Sequence, residues 1–566
     1  MQKKWVLKTP DSKAISDLKK HLHISDLLAT LLVNRDITDF KEASLFLSGT
    51  LKDLPSPFLM KDMEKACKRI LKAIDKNESI FIYGDYDVDG VTATSNLLNF
   101  FKEIGVRAQY HIPHRLKEGY GLHVGALKEI KEKGGDLVIT ADCGISNVKE
   151  AIAASALGVD LIITDHHIIP PELPDAHAVL NPLRPGSEFP DLYLAGVGVA
   201  FFLMVGLRSM LRERGFFKNH EPHLGSYLDL VALGTIADMV PLRGANHILV
   251  KEGLKILSKK QRVGVRALCD VSGISNTEIG PYEVGFQLAP RLNAGGRISS
   301  ATFGVELLTT DDSLKALEVA QKLNSENNQR RFLQTQTLEQ AIQKIEKEKL
   351  YQKKSLVLSS AHWHPGVIGI VASKLVEKYH LPTCLISEQE EVGKGSGRSI
   401  SALNLHEALQ KCKSHFLNFG GHKAAAGFSI EKGKIEAFQN AFNEVVQSML
   451  SPEDWIQKIQ VDMKLSLGQV NEALLQELSL LHPFGMGNRE PLFWVEDFKV
   501  THSKVVGEKH LKLLVQNDEA RFDAIGFYLS EHHPDAHKFR SLLFQPMRNT
   551  WQGKSSIQLK LKDISL

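Results

Sequence analysis

Five cysteines in 566 residues, Cys67, Cys143, Cys269, Cys384 and Cys412, are odd in number, scattered and free of any C-x-x-C pair. That spacing argues against a disulfide framework and against a thiolate zinc site, and it suits a reducing compartment. Long apolar runs are missing too. The most apolar stretch, Leu194 to Leu207 (LAGVGVAFFLMVGL), ends at Arg208 and falls short of the ~20 residues that a bilayer-spanning helix needs, so it reads as a buried core helix. The opening MQKKWVLKTP is basic with no continuous apolar segment behind it, so neither a secretory signal nor a membrane anchor is expected and the cytoplasm is the expected location. A formal net charge of only +3 withholds the strongly basic footprint usual for polyanion binding; composition alone does not point to nucleic acid.

What is present is 43% hydrophobic and 24% charged residues, the balance of a globular protein of several domains. From about residue 79, β-branched runs alternate with amphipathic segments: SIFIYGD, VTATSNLLNFFKEIG, RAQYHI, DLVITAD, AIAASALG, DLIITDHH, AVLNP. Such alternation implies βαβ units on a mostly parallel sheet. DLVITAD and DLIITDHH are nearly continuous apolar, as central strands covered on both faces should be, and both end in acidic or histidine residues where open α/β sheets bind ligands. Residues 195–237 read as helices. A polar tract from Thr310 to about Leu350, with Leu and Ile at helical spacing and neither Pro nor Gly, predicts a long exposed helix bridging two domains. A second α/β unit follows, and the remainder is strand-like with one helical insert (NEALLQELSLL), compatible with a small β-barrel.

The densest chemical signal is GDYDVDG, with Asp85, Asp87 and Asp89 at alternate positions between a strand and a helix. Three carboxylates so close repel unless a cation gathers them. A plain acidic turn with a helix N-cap at Asp89 and Gly90 is the competing reading. An EF-hand loop is disfavoured because its twelfth position is Asn96 in place of the bidentate Glu. Repetition shifts the balance: Asp142 ends DLVIT, Asp165, His166 and His167 end DLIIT, and Asp238 lies in ALGTIADMVPL among apolar neighbours that make an unpaired carboxylate costly. Carboxylates mixed with imidazole and no thiolate favour Mn²⁺ or Mg²⁺ over zinc. Two such ions bridged by shared aspartates suit phosphodiester hydrolysis. His166 is read as a ligand. If the strand continues, His167 points to the opposite side, where supporting a ligand or meeting a substrate phosphate suits it better.

GDYDVDG, ADCGIS, TDHH and ADMVPL resemble the four motifs of the DHH phosphoesterase superfamily. APRLNAGGR, HPGVIGIVASKL, GKGSGRS, GGHKAAAGF and PFGMGNREPLF extend the resemblance over nearly the whole chain, in an order similar to that of its bacterial single-strand-specific exonucleases. The resemblance implies an α/β DHH domain over 1–305 with its core at about 75–240. It implies a connecting helix over 306–350, a smaller α/β DHH-associated domain over 351–452, and an OB-like barrel over 453–566. It further implies metal ligation by Asp87, Asp89, Asp142, His166 and Asp238, with Asp85 and His167 in the catalytic set. Arg115, Ser396 and Arg398 become candidates for a terminal 5′-phosphate, and Arg291, Arg297 and His422 for further DNA contacts, with the glycine-rich loops admitting backbone N–H groups to phosphate. At a position four residues before the D-x-D pair, where the superfamily often has His, this chain has Tyr83. In the barrel, Phe493, Trp494 and Phe527 read as core more readily than as base platforms.

The implied activity is 5′→3′ removal of nucleotides from single-stranded DNA by a monomer, in recombination and repair, with a helicase and a single-strand-binding protein as candidate partners. A phosphodiesterase of short oligonucleotides or cyclic dinucleotides is the enzyme alternative, and a non-catalytic nucleic-acid scaffold is the alternative of another class.

Overall fold

In a parallel sheet covered on both faces, every strand residue must be apolar, and alternate residues feed two different core layers. The computed structural model, which describes residues 3–566 apart from 116, 276, 277 and 552, has strands β1 (Ile80–Gly84), β2 (Ala108–His111), β3 (Leu137–Ala141), β4 (Asp160–Thr164) and β5 (Ala178–Leu180); β1, β3, β5 and all of β4 beyond Asp160 are buried, while the edge strand β2 is part-exposed. The order is β2-β1-β3-β4-β5, all parallel. Ile80, Ile82, Leu137, Ile139 and Ile162 enter one buried layer, while Phe81, Tyr83, Val138, Leu161 and Ile163 enter the other. Three helices position the site: α1 (Val88–Glu103), α2 (Gly196–Glu213) and α3 (Leu228–Ala237). The apolar Leu194–Leu207 stretch is inside the first layer, with Phe202, Leu203 and Met204 buried on α2. No helix among the described residues is long and apolar enough to cross a membrane. All five cysteines are buried and unpaired.

The polar tract forms one helix, α4 (Ser313–Lys347). A mixed sheet follows from β6 (Leu356–Ser360), β7 (Thr383–Glu388), β8 (Val392–Arg398), β9 (Phe416–Gly421) and β10 (Ala425–Glu431), ordered β9-β10-β8-β7-β6. The GKGSGRS run is thus a strand inside a sheet: β8 is hydrogen-bonded to β7 on one side and β10 on the other. Its backbone N–H groups are engaged in ladders, which corrects the expectation of a phosphate-cradling loop. Packing accounts for its glycines. A Cβ on Gly395 would lie 2.1 Å from the Phe428 ring, one on Gly393 would lie 2.6 Å from Ile386, and one on Gly397 would lie 3.0 Å from Leu405.

The last part is a seven-stranded sheet. It comprises β11 (Met463–Lys464), β12 (Phe493–Val495), β13 (Lys499–Val506), β14 (His510–Gln516), β15 (Arg521–Gly526), β16 (Ser541–Trp551) and β17 (Lys554–Ser565). Its order is β11-β12-β16-β17-β15-β14-β13. The helical insert is Glu472–Ser479.

The chain divides into two compact units. One holds Trp5–Ala289, Gly304–Leu317 and Gln460–Leu566; the other holds Pro290–Phe303 and Glu318–Ile459 with a short N-terminal stretch ending at Lys4. Within the first unit, the N-terminal helices share a core with the last sheet, Leu28, Leu31 and Leu32 packing with Phe493, Leu513 and Phe544. The PFGMGNREPLF motif supplies the polar rivet of that contact. The buried Asn488 donates to Leu481 O (2.7 Å) and Pro483 O (2.9 Å) and accepts from Arg35 Nε (2.8 Å). Arg35 in turn donates to Leu31 O and Arg489 O. Removing this amide strands two buried carbonyls and a guanidinium N–H. Asn488→Ala should therefore lower unfolding free energy by about 3 kcal/mol, read as a fall in the urea midpoint with far-UV circular dichroism of the native state unchanged.

Candidate metal centre

The site is assembled at the carboxyl edge of the parallel sheet, one strand at a time. Past the end of β1, Asp85 N–H reaches Ala141 O at 3.1 Å; past β3, Asp142 N–H reaches Thr164 O at 3.1 Å; past β4, Asp165 N–H reaches Leu180 O at 3.0 Å. Each aspartate thus completes one last bond to the neighbouring strand before the chain turns away, which sets three carboxylates side by side. Asp142 turns through a left-handed backbone, φ 66°, a conformation uncommon outside glycine.

Next, α1 brings two more acids. Asp87 is its N-cap, accepting from Asp89 N (2.8 Å) and Gly90 N (3.2 Å), so the capping role read for Asp89 and Gly90 moves to Asp87. Asp89 instead bridges to α2, its two oxygens accepting from Gly196 N at 2.6 Å and Val197 N at 2.8 Å, the start of that helix. Asp238 caps the C-terminus of α3. Gly196 has no room for a side chain, since a Cβ there would sit 2.5 Å from Asp142 Cβ and 2.9 Å from its Cα.

Around these acids the two histidines converge. His166 Nε2 lies 3.1 Å from Asp142 Oδ1, 3.5 Å from Asp238 Oδ2 and 3.8 Å from Asp89 Oδ2. The expectation that His167 faces away fails because β4 ends at Thr164: the chain turns at Asp165, the two rings lie 4.5 Å apart, and His167 Nδ1 comes within 3.8 Å of Asp142 Oδ1. The residue that the sequence reading left outside the site is Asp165. It is fully buried and accepts from Ile145 N, His166 N, His167 N and His167 Nδ1, the last at 2.7 Å. Its signal was its place at a strand end directly before two histidines, and its role is to fix the turn and the His167 ring.

Electrostatically the cluster is starved of positive charge. Burial first, then the neighbouring carboxylates, push Asp85 and Asp142 well above the usual carboxylate range, Asp89 to about 7 and Asp238 to about 9. Burial also lowers His166 to about 4, keeping it neutral. For His167, burial pulls downward but is outweighed by the hydrogen bond and charge of Asp165, leaving it raised to about 9. The same pairing outweighs the burial of Asp165 and holds that carboxylate below its ordinary value. Asp85 Oδ1, Asp142 Oδ1 and His166 Nε2 are buried without hydrogen-bond partners. Unpaired oxygens and a neutral imidazole nitrogen directed into one space are the donor set of a hard divalent cation. Among the described residues, three groups have ligand atoms within 4.8 Å of one another: Asp85, Asp87 and Asp142; Asp89, His166 and Asp238; and Asp142, His166 and His167. Asp142 and His166 are each shared by two groups, so the cluster offers more than one adjoining position.

The remaining candidates are spread over both units. Arg115 lies in the unit of the cluster, its guanidinium over the Tyr86 ring at 4.8 Å. Arg291, Arg297, Ser396, Arg398 and His422 lie in the other unit. There Arg398 Nη1 is 3.1 Å from Ser396 Oγ, and a Cβ on Gly369 would lie 2.9 Å from both side chains, so these two polar groups form one spot beside an open backbone. Arg291 donates to Asn324 Oδ1 and Arg297 to Gly366 O. His422 is exposed in the turn between β9 and β10.

In the last sheet Phe493 is core and Trp494 is half-buried, edge-on to Trp5 at 5.3 Å, but Phe527 is 49% exposed and its neighbour Tyr528 is 74% exposed. Core membership is wrong for Phe527 because β15 ends at Gly526 with alternate residues inside, which turns the next ring outward. His510 braces both rings edge-on, at 5.2 and 5.1 Å, and Tyr528 N–H donates to His510 Nδ1 at 3.1 Å. Lys504 and Lys512 stand directly opposite one another on β13 and β14, and Asp523 on β15, 3.1 Å from Lys512 Nζ, is the acid that offsets this like-charge pair.

Three family models match the chain: the DHH family N-terminal domain over residues 79–235, the DHHA1 domain over 352–448 and the RecJ OB domain over 461–563. The single-stranded-DNA-specific exonuclease RecJ of Bacillus subtilis is 38% identical over 570 residues, all of this chain and 71% of that protein. The RecJ of Salmonella typhimurium is 34% identical, with 95% of each chain covered. A crystal structure of RecJ from Thermus thermophilus in complex with Mn²⁺ superposes with a TM-score of 0.84 at 28% identity, over 100% of this chain and 79% of that one. The α/β fold with its long helix, second α/β domain and OB domain agrees with the architecture read from the sequence.

Because a methyl group at Gly196 must displace Asp142, Gly196→Ala should weaken Mn²⁺ binding, measured by titration calorimetry, about tenfold, in the range seen when the supports of metal ligands are disturbed.

Proposed function

Given that the chain belongs to the RecJ family of DHH proteins, we propose that it is an exonuclease that hydrolyses single-stranded DNA from the 5′ end, with two divalent cations, Mn²⁺ or Mg²⁺, during recombination and repair. The observation that carries this reading is the convergence of buried, partnerless Asp85 Oδ1, Asp142 Oδ1 and His166 Nε2 within one cluster of aspartates and histidines. The cations, when bound, would neutralise this acidic cluster, polarise the scissile phosphoryl group and lower the pKa of water for the attack.

The protein's own contribution is placement and charge. Asp87, Asp89, Asp142, His166 and Asp238 would hold the ions, with Asp85 beside them. His166, held neutral by burial, offers its lone pair at neutral pH without first losing a proton. His167, held protonated by Asp165, presents a positive N–H suited to a phosphate oxygen. Ser396 and Arg398 form the hydroxyl-plus-guanidinium pair that suits a terminal phosphate, with Arg115 in the same role; Arg291, Arg297 and His422 suit the backbone of the strand. Phe527 and Tyr528, with Lys504 on a nearby strand, supply stacking and a cation of the kind that a single strand accepts regardless of sequence. Domains at 1–305, 351–452 and 453–566, joined by a helix over 306–350, remain the division that this reading uses.

Digestion of 5′-labelled and 3′-labelled single strands with Mn²⁺, beside duplex and dinucleotide controls, tests the proposal. The wild-type chain should release labelled mononucleotides from the 5′ end of long single strands, and Asp142→Ala should lose at least about 1,000-fold in kcat, about 4 kcal/mol of barrier. Cleavage confined to dinucleotides would replace the proposal with the small-substrate alternative, and strand binding without cleavage would replace it with a scaffold. For the last sheet, combined Phe527→Ala and Tyr528→Ala should raise KM for long single strands about tenfold, the loss of about one stacked base, with kcat and dinucleotide binding unaltered.

A further inference from the structure

Tyr83 stands where the superfamily often has a histidine, and strand alternation shows what it does instead. On β1 its ring belongs to the buried layer that also holds Phe81 and Val138, fully enclosed and tilted against His111 at 4.9 Å. The hydroxyl donates to Gly121 O at 3.2 Å. The next residue, Leu122, is clamped through both of its backbone groups by Asn147, N–H to Oδ1 at 3.1 Å and C=O from Nδ2 at 3.3 Å. Gly119 and Gly121 both take positive φ, 95° and 90°, and a Cβ on Gly121 would lie 2.5 Å from Asn147 Oδ1. Tight backbone with no side chains on either flank is therefore pinned from two directions.

Tyr120 sits between the two glycines. It is 43% exposed, yet its hydroxyl reaches His167 Nδ1 at 3.0 Å and Asp142 O at 3.3 Å. Asp142 is the residue whose left-handed backbone must be held in place, and His167 is the histidine whose Nδ1 already donates to Asp165. One phenol thus touches the main chain of one cluster residue and the ring of another. With Nδ1 facing both Asp165 and Tyr120, the nitrogen left for a phosphate oxygen is Nε2.

We propose that Tyr120 is a positioning residue that locks the His167 ring and the Asp142 backbone to one another, and that Tyr83 is the strut that holds the loop carrying it. The inference rests on the phosphodiesterase reading above for its effect on rate, and on geometry alone for its structural part. Tyr83 in this arrangement acts on the cluster only through the loop that carries Tyr120.

Two variants of the full chain test it. Tyr120→Phe keeps the ring and removes the hydroxyl; kcat on 5′-labelled single strands should fall about tenfold, while KM, calorimetric Mn²⁺ affinity and the unfolding midpoint stay within twofold or about 2 °C of wild type. Tyr83→Phe should lower kcat in the same sense by less, and adding it to Tyr120→Phe should cost nothing more, because it acts through the same contact. Independently of turnover, the His167 ring ¹⁵N resonance of the metal-free protein, assigned by its loss in His167→Gln, should move in Tyr120→Phe. An unmoved ring resonance overturns the positioning role by itself. So does an unchanged kcat, a fall in kcat matched by an equal fall in Mn²⁺ affinity, or an additive double variant. If the wild type digests no DNA, the phosphodiesterase reading fails, and the ring resonance still decides whether Tyr120 holds His167.

Discussion

Everything at the site depends on carboxylates that water would hold apart being kept together at the end of a parallel sheet. The arrangement comes from ordinary ladder hydrogen bonds carried one residue further than the strands themselves, at Asp85, Asp142 and Asp165. Strand spacing of roughly 4.8 Å then dictates how close the three side chains stand. Burial raises the cost of their charge, and helices α1, α2 and α3 close over them with two more acids. The sheet core contributes the rigidity: β1 and β3 are buried along their whole length, so the acids cannot relax apart without disturbing two apolar layers.

Within this frame Asp165, His166 and His167 part company, although they are adjacent in the chain. Asp165 is sunk among N–H donors and stays ionised. His166 is buried among carboxylate oxygens and kept neutral, while His167 is held charged by its bond to Asp165. Three consecutive residues with three protonation behaviours require a sharp turn at the strand end, because a continued strand would have sent alternate side chains to opposite faces. Gly196 belongs to the same economy of space: its missing side chain lets the start of α2 donate two N–H groups to Asp89 while touching Asp142.

The glycine-rich motifs separate into two physical kinds. Those around Tyr120 have positive φ and serve the backbone path. Those in GKGSGRS lie in an extended strand and serve packing, since Phe428 and Ile386 occupy the space of their side chains. On that strand the polar residues Ser396 and Arg398 stand beside one another because strand side chains alternate, while Gly397 between them faces the packed side against Leu405.

Periodicity and motif order by themselves determined the parallel sheet, the helix between residues 310 and 350 and the second α/β and OB domains, and they marked five acids and one histidine at strand and helix ends as candidates. Those properties are local: a strand buried on both faces is apolar along most of its length, and a change to polar residues marks where it stops. Tertiary structure alone decided the rest. The turn of His167 toward the cluster, the support given by Asp165, the exposure of Phe527 and the Tyr83–Gly121–Tyr120 relay all depend on where a strand ends to within one residue and on what a distant segment places against it. Asp89 and Gly196 are 107 residues apart, and no spacing rule connects them; what joins them is a helix start whose unsatisfied N–H groups need an acceptor at one point in space.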